Sequence, residues 1–143
     1  MVMRIAVLAD IHGNIPALEA VLDDVSGRGA DLIVNLGDCV SGPLWPRETF
    51  ECLERLKAPT VRGNHDRQVA TFDSTKTDAS DRFAFLELSE AQRKALGQLP
   101  FSRQFAPSIE GSEWWQTVDP KYRRAYALLE WCHSQKKRLA CFL

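Results

Sequence analysis

The sequence has few histidines, no paired-cysteine spacing, almost no net charge and no long apolar run, and each shortage excludes a class of function. No stretch approaches the roughly 18 apolar residues of a membrane-spanning helix. Met1-Val-Met-Arg4 opens like a secretory leader, but Asp10 cuts the apolar run before a cleavage site can follow. The 18 Lys+Arg against 19 Asp+Glu leave a net charge of -1, without the basic footprint that nucleic acid or an anionic membrane needs. The four cysteines (Cys39, Cys52, Cys132, Cys141) contain no C-x-x-C pair, so neither a disulfide framework nor a zinc ribbon is indicated. Cys141 also stands one place too late for prenylation. No G-x-x-x-x-G-K-[ST] phosphate loop occurs. The expectation is a soluble, unprocessed cytoplasmic protein with reduced thiols. At 143 residues, without repeats or a long linker, it is expected to form one domain.

What is there concentrates in the first half. Arg4-Ile-Ala-Val-Leu-Ala9 is a continuous apolar run, the mark of a strand buried on both faces, and it ends abruptly in Asp10-Ile-His12-Gly13. Asn14 suits a helix cap, and Ile15, Leu18, Val21, Leu22 and Val25 follow the 3.6-residue period. Asp31 to Leu36 reads as a second buried strand, ending in Gly37-Asp38. Pro46 opens a second helix with Phe50, Leu53 and Leu56 on one face, and Pro59 closes it. Thr60-Val-Arg62 reads as a short third strand running into Gly63-Asn-His-Asp66. The rhythm is βαβαβ, which implies parallel pairing. Ligands of such sheets bind outside the carboxyl ends of the strands.

Beyond about residue 72 the rhythm stops. Residues 71–81 read as a polar loop, 81–87 as a helix, and Ser89-Glu-Ala-Gln92 as a capping box opening another that ends at Pro100. Residues 101–120 show no periodicity, and Lys121 to Leu139 reads as a final helix. The fold class is therefore α/β: a mostly parallel sheet flanked by helices over residues 1–72, and a helical, divergent tail over 73–143.

The three strand-end clusters carry the chemistry. Carboxylate, imidazole and amide oxygen together suit divalent manganese, iron, zinc or nickel. Asp10, His12, Asp38, Asn64 and His65 supply those groups. A carboxylate between two ions can bridge them, and two such ions clamp a phosphate and acidify a bound water. An imidazole near the leaving group can donate a proton. An aspartyl-phosphate enzyme would use Asp10 as nucleophile with a second Asp two residues on, but position 12 is His. Any one cluster alone is an ordinary turn or cap, but three at consecutive strand ends are not expected by chance.

Asp10-Ile-His12, Gly37-Asp38-Cys-Val40 and Gly63-Asn-His-Asp66 resemble the first three blocks of the calcineurin-like metallophosphoesterase superfamily. Asp10 to Ala20 resembles its small bacterial phosphodiesterase branch in particular. The likeness covers about the first 70 residues. It implies the amino-terminal portion of an α/β/β/α sandwich, with Asp10 and His12 on one metal, Asp38 bridging and Asn64 on the second. His65 would be the acid or phosphate contact, with Asp38 beside it in catalysis. It also implies hydrolysis of phosphomono- or phosphodiesters by a metal-activated hydroxide, with manganese the favoured ion. Gly13, Gly37 and Gly63 would let the backbone turn tightly beside the ions.

The family's later blocks add metal-binding histidines, one before a glycine and others in Gly-His-x-His. This chain has three histidines in all, His12, His65 and His133, and no Gly-His-x-His. Cys132-His133-Ser134 falls in a segment that reads as helix, where a helix-face histidine is the expected role. The departure implies truncation after the third block, weakened metal affinity, and as an alternative function a catalytically inactive binding or scaffold module. Without the second sheet, one apolar face must be covered by residues 73–143 or by a second copy of the chain, so a homodimer is expected unless the last helix docks there. Trp114-Trp115 reads as packing and Lys136-Lys-Arg138 as a solvated helix end. Cys39 reads as a small buried residue rather than a soft ligand or redox thiol.

Overall fold

The computed structural model describes residues 4–75, 77–103 and, as backbone, 138–142. Strand β1 (Arg4–Leu8) is the middle strand of a parallel sheet, flanked by β2 (Leu32–Asn35) and β3 (Arg138–Phe142) in the order β2-β1-β3. Ile5 to Leu8 are all buried, which is why that run carries no polar alternation. The register runs from Ile5↔Leu32 to Leu8↔Asn35 on one side and from Arg4↔Arg138 to Leu8↔Phe142 on the other.

Helix α1 (Ile15–Gly27) joins β1 to β2 and buries Leu18 and Val25. Asn14 caps it, its side-chain oxygen accepting from the Ala17 N–H at 3.2 Å. Helix α2 (Pro46–Leu56) ends at Lys57, which adopts the left-handed conformation. Then follow α3 (Asn64–Ala70), α4 (Ala79–Glu87) and α5 (Glu90–Gln98). The capping box at Ser89 and Gln92 is formed as the spacing predicts. Val69, Ala84 and Leu96 from these helices, with Leu88 from the turn between α4 and α5, pack with Cys39 and Val40, and Phe50 and Leu53 of α2 close over them. A second cluster, Ile5, Val7 and Val34, lies within the sheet. The chain turn that carries Asp38 is thus anchored from below by the helical core.

Three elements differ from expectation. The third strand shrinks to one parallel bridge, Asn35↔Thr60, because Pro59 lacks an N–H and Gly63 already caps α3, leaving three residues between them. Helix α3 was not anticipated. Of the helix expected over Lys121 to Leu139, residues 121–137 lie outside the described residues, and Arg138 and Leu139 belong instead to β3, which pairs with the edge of β1 opposite β2. Trp114, Trp115, Cys132 and His133 lie outside the described residues.

Candidate metal centre

Two backbone turns are stitched together beyond the sheet. The N–H groups of Asp10, His12 and Gly13 donate to the carbonyls of Gly37, Asp38 and Cys39 at 3.0–3.2 Å. The ladder continues past the strand ends and holds the first two clusters side by side. Asp10, His12 and Asp38 all have positive φ (53°, 49° and 56°), a conformation uncommon for residues with a side chain. Such strain persists only where the surroundings impose it, and it gathers at functional sites.

The result is a group of ligand atoms: one each from Asp10, His12 and Asp38 lie within 4.8 Å of one another. His12 Nε2 is 3.9 Å from Asp10 Oδ1, and both side chains are substantially exposed. His12 Nδ1 lies 2.7 Å from the Ser41 carbonyl oxygen. A carbonyl can only accept, so Nδ1 carries a proton and Nε2 is the nitrogen on the side of the carboxylates, the one left to ligate a cation. A second-partner bond of this kind is how metal-ligating histidines are oriented. The donor set therefore fits a divalent cation of the borderline class.

Asp66 fixes the third cluster against the second. It is fully buried, and its two oxygens accept from the N–H groups of Asp38, Cys39 and Gly63, each at 2.9 Å. Burial pushes its carboxyl up, with the three backbone donors pulling against that. The His65 N–H donates to Asp38 Oδ1 at 2.9 Å, which orients that carboxylate from the N-terminus of α3. Gly63 has no room for a side chain: a Cβ there would run into Asp38. Asn64 opens α3 and is exposed.

His65 is 27% exposed, and its ring meets that of His12 edge-on at 5.3 Å between centroids. Its Nδ1 lies 3.0 Å from Asp81 Oδ1 and 3.4 Å from the Ser41 hydroxyl. Partial burial pulls the His65 pKa down, but the hydrogen bond and charge of Asp81, with Asp38 and Asp78 behind, outweigh it and leave it raised. His65, Asp78 and Asp81 form a second group of ligand atoms within 4.8 Å of one another. Cys39 is the reverse case: burial, then the charge of Asp66, pushes its thiol well above the usual range, so it stays protonated among apolar neighbours.

The structure thus brings Asp10, His12 and Asp38 together, sets His65 beside Asp38, and leaves Asn64 exposed at the start of α3. Sequence reasoning assigned no role to Ser41, Asp66 or Asp81. Asp66 was visible as the last residue of Gly63-Asn-His-Asp66, three places after a glycine, where an acidic side chain can reach back to cap. Asp81 was visible only as the second acid of Asp78-Ala-Ser-Asp81, a capping pattern that hides any other role.

The sequence profile of the calcineurin-like phosphoesterases matches residues 3–136. Residues of an uncharacterized protein of Methanocaldococcus jannaschii are 47% identical over 62 positions, 43% of this chain and 26% of that one. A metallophosphoesterase crystal structure from Sphaerobacter thermophilus superposes with a TM-score of 0.56 at 35% identity, over 70% of this chain and 42% of that chain. A candidate diadenosine tetraphosphatase superposes at 0.53 with 28% identity, over 70% and 48%. The chain matches less than half the length of each of these relatives.

Proposed function

The chain belongs to the calcineurin-like phosphoesterase family, and from that premise we propose that it hydrolyses phosphomono- or phosphodiesters at the turn shared by Asp10, His12 and Asp38. The observation that carries the proposal is the convergence of those three side chains, with His12 Nε2 left free by the Ser41 carbonyl. Asp10 and His12 would hold one divalent ion. Asp38 would be shared with a second, which Asn64 would also hold. Manganese is the ion we favour. Bound divalent ions supply Lewis acidity toward phosphoryl oxygens and make water a nucleophile near neutral pH.

The chain's own residues do the rest. The ladder between residues 10–13 and 37–39 fixes the backbone that carries these side chains before substrate arrives, so less is lost in ordering them. Asp38 is held by the His65 N–H, and the backbone beneath it by Asp66. His65, beside Asp38, is placed to act on the ester. As water oxygen bonds to phosphorus and the bond to the leaving oxygen breaks, the imidazolium gives that oxygen its proton. The attacking water releases a proton to solvent, and the imidazole regains one. The raised pKa of His65 favours the protonated form this role requires. Among the described residues no helix is long and apolar enough to cross a membrane. The free thiols Cys39 and Cys52 suit a cytoplasmic setting.

Turnover of bis-p-nitrophenyl phosphate with manganese is the test. The expected result is hydrolysis by the wild type that Asp38→Ala removes. Equal rates for the two proteins would reject the proposal.

A further inference from the structure

Asp81 is fully buried in the first turn of α4, far along the chain from the three motif clusters. A buried carboxylate is costly unless partnered. Its Oδ1 has one side-chain partner, His65 Nδ1 at 3.0 Å, while Oδ2 is buried with no hydrogen-bond partner among the described residues. Asp78 Oδ1 accepts from the Asp81 backbone N–H at 2.9 Å, and no hydrogen bond from His65 to Asp78 is formed among the described residues. The position near the α4 N-terminus stabilises negative charge, but it does not explain why the carboxylate is turned onto an imidazole.

We propose that Asp81 is a positioning residue for His65: it holds the proton on Nδ1, so that Nε2 alone is left to exchange a proton with a phosphate ester. An ionised carboxylate only accepts, so the 3.0 Å bond requires a proton on Nδ1. The Ser41 hydroxyl, at 3.4 Å from the same nitrogen, is the weaker partner. With Nδ1 committed to the core and the His65 backbone N–H committed to Asp38, the ring has one nitrogen left for chemistry. The catalytic consequence rests on the phosphoesterase reading; the proton's location does not.

The experiment therefore has two parts. Long-range 1H–15N correlation on metal-free wild type, at a pH raised until the His65 nitrogens stop shifting because its pKa lies above the usual imidazole value, reads the neutral tautomer of His65. A proton on Nδ1 is expected, and a proton on Nε2 overturns the proposal. Zinc that strips the Nδ1 proton from the wild type also overturns it, by making His65, Asp78 and Asp81 a cation site. In Asp81→Ala the Nδ1 preference should vanish and kcat fall about tenfold or more, the range typical of lost orienting partners, with KM little changed. Asp81→Glu should restore part of both. An unchanged tautomer in Asp81→Ala contradicts the proposal. If the wild type shows no turnover beyond Asp38→Ala, the phosphoesterase reading fails, while the tautomer still decides the role of Asp81.

Discussion

Asp66 shows how one side chain can set the geometry of three turns. Removing it leaves the N–H groups of Asp38, Cys39 and Gly63 without acceptors, each costing about 1–3 kcal/mol where buried. Asp66→Ala should therefore lose about 3 kcal/mol or more of stability, read by urea unfolding; a loss near zero would mean water replaces the carboxylate. His65 gives a pH dependence. Its pKa is raised in the folded protein above the ordinary 6.5. That stabilisation is complete below the unfolded value and is lost as pH rises through the folded one. Metal-free wild type should therefore lose stability over that interval relative to His65→Gln, measured by unfolding at a series of pH values. Parallel profiles would count against the Asp81 pairing. At this scale Asp10, His12 and Asp38 were legible in the sequence because each ends or follows a strand. Asp81 was not, because its partner lies in another element.

Elements were legible where their signals are local. The cap at Asn14, the proline entry to α2 and the Ser89-Gln92 box each lie within four residues of what they organise. Asn14→Ala should cost about 1 kcal/mol in thermal unfolding, leaving the metal centre intact. Helix α3 was missed because its cap, Gly63, offers no side chain and Asp66 supplies the capping interaction from within the helix. Gly63→Ala tests that junction: the added methyl meets Asp38, so manganese affinity should fall along with stability. An alanine variant with unaltered affinity would show that the turn can yield without moving the carboxylate.

For the whole molecule, the parallel sheet is closed by chain from its far end. Neither periodicity nor capping announces that Arg138–Phe142 will pair with β1, since the partner lies at the other end of the sequence. Removing residues 138–143 exposes one edge of β1, and the melting temperature should drop by about 5 °C or more, read by calorimetry. An unchanged transition would mean that the edge contributes nothing to stability.

The central claim is that Asp10, His12 and Asp38 make one cation site, and titration calorimetry with manganese tests it most directly. Wild type should bind the ion, and Asp10→Ala and His12→Ala should each weaken binding about tenfold or more while melting cooperatively. Absence of binding, or binding that neither substitution changes, would contradict the account.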